Sequence, residues 1–208
     1  MKKFEGLPQE IIALRASQEL KDGDYVNLGI GIPTMISNWI EGRDIFLHSE
    51  IGMIKTGPLA YDEDIDQDLI NASCQPVTEV AGSIYFDISE SFAMIRGGHV
   101  DVTVMGAFQV SEKGDFAGWN NPSRGLGNVG NIGGSMDLSA GSRRLIITME
   151  HTTKNGDPKL LKELTYPATG RGNVNLIKEI YPGLTTEDIQ SVTEPKLIIS
   201  PDLKEIEL

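Results

Sequence analysis

From Pro8 to Leu20 the apolar residues Ile12, Ala16 and Leu20 return every four positions, and Ile11, Ala13 and Leu14 widen that face between polar neighbours. Side chains three and four apart share one face of a helix, so the stripe predicts an amphipathic helix over roughly residues 8 to 20. Pro8 suits its first turn and Gly23 stands just beyond its end. The pattern then changes. "YVNLGIGIPT" is a short apolar strand entering a glycine-rich turn, "TMISNWI" predicts a helix from Thr34, and "DIFLHSE" reads as a second strand. Strand, turn, helix and strand within about 25 residues form the pattern of a parallel crossover.

Downstream, "SIYFDISESFAMIRGG" and "VDVTVMGAFQV" supply further strands, with a helix around Ser89 to Arg96. "RRLIITMEH" reads as another buried strand, while "NVNLIKEIY" and "TTEDIQSV" carry helical spacing. Helices mixed with apolar strands and glycine turns predict an α/β fold, layered, with a mostly parallel sheet and flanking helices. The 208 residues fit one substantial core, so residues 1–208 are expected to form a single domain. No internal repeat or linker interrupts them, and the glycine-rich segment 125 to 134 is expected to form a long excursion from the sheet.

Charge narrows the field of partners. With 18 Lys+Arg against 30 Asp+Glu, the net charge is -12, and no basic stretch offers nucleic acid a bulk attraction. No run of 18 or more apolar residues predicts a membrane span. The opening residues lack the apolar core and cleavage site of a signal peptide, so the expected location is cytoplasmic and the Asn71-Ala72-Ser73 sequon is discounted. Cys74 has no second cysteine to pair with and reads as a small packing residue.

The glycine turn suggests dinucleotide binding. Gly29 and Gly31 have the G-x-G spacing after a strand, and Glu50 ends the next strand, where a ribose-binding acid would stand. The match fails at Thr34, where the third glycine is due, and Pro33 alters the turn. A loop for a different ligand, or glycines with a purely structural task, fit better. Asp64, Asp66 and Asp68 alternate, but the glycine and distant glutamate of a calcium loop are missing, so a solvated turn is expected. His48, His99 and His151 form no short metal motif. For His48, beside an apolar strand, a core or supporting role is expected; His99 suits a functional or a loop role, and His151 a structural or exposed one. Asp87, Glu90 and Asp101 are further carboxylates whose pairing depends on distances in space. Ser49 lacks the G-x-S-x-G elbow of serine hydrolases, which leaves the neighbouring Glu50 free for acyl transfer through a carboxylate.

Taken together, "NLGIGIPT", "FLHSEIGM", "ESFAMIRGGHVDVTVMGAFQV" and "IGGSMDL" resemble the B, or beta, subunit of the family I 3-oxoacid coenzyme A transferases, over roughly residues 7 to 200. The resemblance implies exchange of CoA between a thioester such as succinyl-CoA or acetyl-CoA and a short acid such as acetoacetate or 3-oxoadipate. The family motif S-E-N-G carries its catalytic glutamate and maps onto Ser49-Glu50-Ile51-Gly52, which makes Glu50 the implied nucleophile. Ile51 stands where the family has asparagine, and this departure bears on the acid substrate more than on the reaction class. The segment "WNNPSRGLGNVGNIGGSMDL" also departs, in a loop that is often shorter in relatives. "FLHSE", "HTTKNGDPKL" and "TYPATG" lean toward the 3-oxoadipate branch without fixing the acid.

The implied chemistry proceeds through a glutamyl-CoA thioester, with no permanently bound cofactor and no metal, and CoA itself as part of the substrate. Each attack develops negative charge on an oxygen, so backbone N–H donors should face Glu50. Gly29, Gly31 and Gly98 are the candidate turns for CoA, Asn71 is a further polar candidate, and Arg96 suits either a CoA phosphate or a surface ion pair. The resemblance also implies a separate A (alpha) subunit, commonly in an α2β2 assembly. An acyl-CoA hydrolase and a noncatalytic CoA-binding subunit are the alternatives, distinguished by turnover without an acceptor acid and by failure to label Glu50.

Overall fold

The computed structural model describes residues 6–122, 132–172, 177–180 and 183–206. Its centre is a six-stranded sheet in the order β4-β3-β2-β1-β5-β8. These strands are β1 (Tyr25–Leu28), β2 (Phe46–Ser49), β3 (Met53–Leu59), β4 (Val77–Tyr85), β5 (Val102–Gly106) and β8 (Arg144–Thr148). β4, β2, β1, β5 and β8 run in one direction and β3 runs against them, paired antiparallel with both β2 and β4, so the sheet is mostly parallel in direction, as predicted, with one reversed strand. A small second sheet joins β6 (Gln109–Ser111) to β7 (Phe116–Ala117) and β9 (Leu160–Leu161).

Alternation along the strands divides the core between the two faces of the main sheet. On one face Val26, Val102 and Val104 pack against Ala13 and Ala16 of the first helix, Leu20 just beyond its end, and Ile36 and Ile40. Here α1 spans Gln9–Ser17, within the predicted range, and Pro33–Trp39 form a 3-10 helix. That short helix makes the crossover between β1 and β2. On the other face Met105, Leu145 and Ile147 pack against Ile95 of α2 (Ile88–Arg96) and Leu138 of α3 (Ser135–Gly141). Asp87 starts α2 by accepting from the N–H groups of Ser89 and Glu90. Those bonds, the one from Glu90 foremost, hold its carboxyl below the usual carboxylate range.

Beyond the main sheet one expectation is corrected. "NVNLIKEIY" has helical spacing, but Ile177–Ile180 form strand β10, which pairs in parallel with β11 (Ile199–Glu205). The isoleucines fit either period, and the partner strand lies too far along the chain for local spacing to reveal it. Residues 173–176 and 181 of that segment, and 125–131 of the glycine-rich excursion, lie outside the described residues. By contrast "TTEDIQSV" forms α4 (Thr186–Ser191), begun by a capping box between Thr185 and Asp188.

From β1 the chain passes to β2 on one side, and later returns to place β5 on the other. Such a reversal of strand order opens a crevice outside the carboxyl ends of the parallel strands, where α/β sheets bind their ligands. The turns after β1 and β2 both emerge there.

Candidate active site

Glu50 is the first residue after β2, so its backbone is fixed by a buried strand while its side chain reaches the rim. Met53 pairs with both Ser49 and Tyr85, which turns the chain tightly around Ile51 and Gly52. Gly52 has φ of 132°, and a Cβ placed there would stand 2.3 Å from the Phe86 carbonyl oxygen. Only glycine fits this turn, and Gly52 O in return accepts from Phe86 N.

The Glu50 carboxylate is held from the neighbouring strand. Asn27 Nδ2 donates to Glu50 Oε2 at 3.0 Å and to the His48 carbonyl at 3.2 Å, and stands 3.3 Å from His48 Nδ1. The register explains this cluster: Asn27 of β1 is paired with His48 of β2 and Thr103 of β5, so the three side chains form a polar row on the face covered by α2. All three are buried. Ser91 of α2 closes the row, with Oγ 3.2 Å from His48 Nε2. The His48 ring stacks near that of Phe86, and burial draws its pKa down from 6.5 to about 4.

Continuing the β1–β2 register past Asn27 and His48 brings Gly29 abreast of Glu50. Gly29 N–H is already committed to Val104 O at 2.8 Å, and a Cβ at Gly29 would lie 3.1 Å from that oxygen. Its role is close packing rather than donation. Gly31 differs: its φ is 93°, space around it is open, and the N–H groups of Ile30 and Gly31 have no partner among the described residues. Thr34 braces this turn by donating Oγ1–H to Gly29 O. A carboxylate beside unclaimed backbone donors can attack an acyl carbon while the developing oxyanion is hydrogen-bonded.

The other sequence candidates separate in space. Among the described residues Asn71 makes no hydrogen bond to Glu50. Its Oδ1 accepts from Ser73 N and Gln75 N, and it lines, with His48, Ser49 and Thr34, a cavity of about 40 Å³, a space for water-sized guests. Gly98 lies at the other end of the strands from Glu50. It caps the end of α2 with φ of 73°, donates to Ile95 O, and leads into the amino end of β5, whereas Glu50 leaves the carboxyl end of parallel β2. His99 shares that corner, and Arg96 there pairs with Asp137 at 2.7 Å, the surface ion pair. Asp101 accepts from Tyr25 N and from Arg143. Asp87 caps the start of α2 and Glu90 lies in its first turn, and among the described residues no hydrogen bond joins the carboxyl groups of Asp87, Glu90 and Asp101 to one another. His151 meets Thr193 Oγ1 at 2.8 Å, and burial, then the nearby Lys159, lowers its pKa. Among the described residues no group of three or more His, Cys, Asp or Glu is arranged to hold a metal ion.

Sequence reasoning missed Asn27 and Ser91. The signal for Asn27 was available: an amide inside the apolar strand "YVNL" must find partners when buried. For Ser91 nothing local distinguished it from other helix serines.

Comparison with known proteins places the chain in a family. The family described as Coenzyme A transferase matches residues 9–199. The chain is 43% identical over 178 residues to the B, or beta, subunit of the 3-oxoadipate CoA-transferase of Pseudomonas putida, a match covering 86% of this chain and 81% of that protein. It is 41% identical over 203 residues to the corresponding subunit of the probable succinyl-CoA:3-ketoacid coenzyme A transferase of Bacillus subtilis, covering 89% and 93%. The crystal structure of an acyl-CoA transferase (YdiF) apoenzyme from Escherichia coli O157:H7 shares the fold, with a TM-score of 0.76 at 22% identity over 97% of this chain and 44% of that one.

Proposed function

The chain belongs to the coenzyme A transferase family, among the beta subunits of its 3-oxoacid members, and from that premise we propose that Glu50 carries CoA between an acyl thioester and a short carboxylic acid. The observation that supports this most directly is the Glu50 carboxylate itself, held by Asn27 Nδ2 at 3.0 Å at the carboxyl edge of the sheet, next to the open turn at Ile30-Gly31.

A carboxylate suits this exchange because it is a nucleophile and, once acylated, an electrophile. An oxygen of Glu50 attacks the thioester carbonyl, the C–S bond breaks, and CoA thiolate leaves a mixed anhydride. The thiolate then attacks the Glu50 carbonyl carbon, the C–O bond to the first acid breaks, and glutamyl-CoA thioester remains with a free carboxylate. The acceptor carboxylate attacks that thioester and releases CoA thiolate. Thiolate attack on the new acyl group regenerates Glu50 and forms the second acyl-CoA. No net proton is consumed, so the site needs no acid or base. It must exclude water, which would hydrolyse both activated intermediates. The Ile30 and Gly31 N–H groups are the proposed oxyanion donors, each a contribution of about 3 kcal/mol to transition-state binding.

The named relatives act on 3-oxoadipate and on 3-ketoacids more generally at similar identity, which supports 3-oxo acids as the acceptor class and succinyl-CoA as donor. Working with a separate alpha subunit is part of the proposal. The test is to assemble the chain with that subunit, expose it to succinyl-CoA without acceptor, reduce with borohydride, and locate the product by mass spectrometry. Wild-type protein should be modified at Glu50, and Glu50→Gln should fold, assemble and lose at least about 1,000-fold in transfer. Full activity in Glu50→Gln would sink the proposal. Turnover without acceptor would make the enzyme a hydrolase.

A further inference from the structure

We propose that His48, braced by Ser91, is a positioning residue that aims the Asn27 amide at the Glu50 carboxylate. This inference rests on Glu50 being the nucleophile. Asn27 is 1% exposed and its Oδ1 has no hydrogen-bond partner among the described residues, so the oxygen end of the amide does not fix its orientation. The nitrogen end must do so. Nδ2 faces Glu50 Oε2, the His48 carbonyl and His48 Nδ1 at 3.0, 3.2 and 3.3 Å. Three atoms around two N–H protons mean that one N–H is shared, and His48 Nδ1 can take part in that sharing only when it carries no proton.

The fold supplies that condition. His48 is 4% exposed, and burial lowers its pKa to about 4, so the ring is neutral near pH 7 with one proton to place. Ser91 Oγ, fully buried on α2, stands 3.2 Å from Nε2 and can accept the N–H there. With the proton at Nε2, Nδ1 is left as the acceptor facing Asn27. The opposite tautomer would set Nδ1–H against the amide N–H. Rotating the amide to relieve that contact would then turn Oδ1 toward Glu50 Oε2 and push the carboxylate away. The His48 tautomer thus selects the amide orientation, and the amide sets where the attacking carboxylate lies. Misplacing a reacting group by about 1 Å costs on the order of 100-fold in rate.

The test uses the enzyme assembled with its alpha subunit. Long-range proton–nitrogen spectra of the histidine-labelled protein should show His48 as the Nε2–H tautomer near neutral pH. His48→Leu should slow formation of the Glu50–CoA thioester from succinyl-CoA by about 10- to 100-fold, with KM for succinyl-CoA changed less than about twofold. His48→Gln, whose Oε1 can accept from Asn27, should recover to within about threefold of wild type. An Nδ1–H tautomer, a wild-type rate in His48→Leu, or equal losses in Leu and Gln variants would each overturn the inference, the last pointing to packing alone. A wild-type enzyme that never labels Glu50 would overturn the nucleophile assignment and this inference with it.

Discussion

A group that first attacks a thioester and is then attacked at its own carbonyl carbon needs one oxygen held and the other free. At Glu50 the held oxygen is Oε2, and its holder, Asn27, is supported by a histidine kept out of water. That burial makes His48 a source of acid sensitivity. The unfolded histidine titrates near 6.5, the folded one near 4, so between these values the unfolded chain binds a proton that the folded chain refuses. The stabilising contribution is therefore fully present above about pH 6.5, shrinks as pH falls toward 4, and amounts to about 3 kcal/mol at most. His151, also lowered, adds in the same direction. Urea unfolding at about pH 7 and about pH 4.5 checks this: His48→Gln should lose distinctly less stability on acidification than wild type. Equal losses would show that His48 is not the source. The motif that makes Glu50 the candidate is contiguous in the chain, whereas Asn27 could not be tied to it until a parallel register brought residues 23 positions apart side by side.

At the level of elements, the strand–crossover–strand unit was legible from local apolar spacing, down to which strand would end at Glu50. The connecting helix was legible in place but not in type: with Pro33 at its start it winds as a 3-10 helix. β10 departs from its helical spacing because pairing with a distant β11 decides its conformation. The Gly29-Ile30-Gly31 and Ile51-Gly52 turns looked alike in sequence as glycine turns. In space they make different demands, since a Cβ at Gly31 meets nothing within 4 Å, while one at Gly52 meets the Phe86 carbonyl oxygen at 2.3 Å. Gly52→Ala should therefore destabilise the chain by about 2 to 4 kcal/mol, through backbone collision added to an unfavourable positive φ. Gly31→Ala, facing only the conformational penalty, should cost about 1 kcal/mol. Chemical denaturation of the two variants measures the difference, and equal costs would mean that the Phe86 contact relaxes freely.

On the scale of the whole molecule, the carboxyl edge of the sheet carries more exposed hydrocarbon than a solvated rim requires. Ile30 after β1, Ile51 after β2 and Ile88 at the start of α2 are 71%, 45% and 57% exposed. The pairing of Met53 with both Ser49 and Tyr85 puts the ends of β2 and β4 level, so Ile88 emerges on the same side of the sheet as Glu50. Single exposed isoleucines are ordinary, but three on neighbouring connections around a reaction that must exclude water call for a cover. Under the proposed function that cover is the alpha subunit, and its contact would shield the intermediates as well as join the chains. Ile30→Asp combined with Ile88→Asp should then reduce affinity for the alpha subunit at least about tenfold, as loss of apolar anchors at an interface does. Neither position is buried, so the melting temperature of the isolated chain should stay nearly unchanged. Sedimentation of the mixed subunits reads the first effect and calorimetry the second. Wild-type affinity in the double variant would place the alpha subunit on another face, and the water seal over Glu50 would have to come from elsewhere.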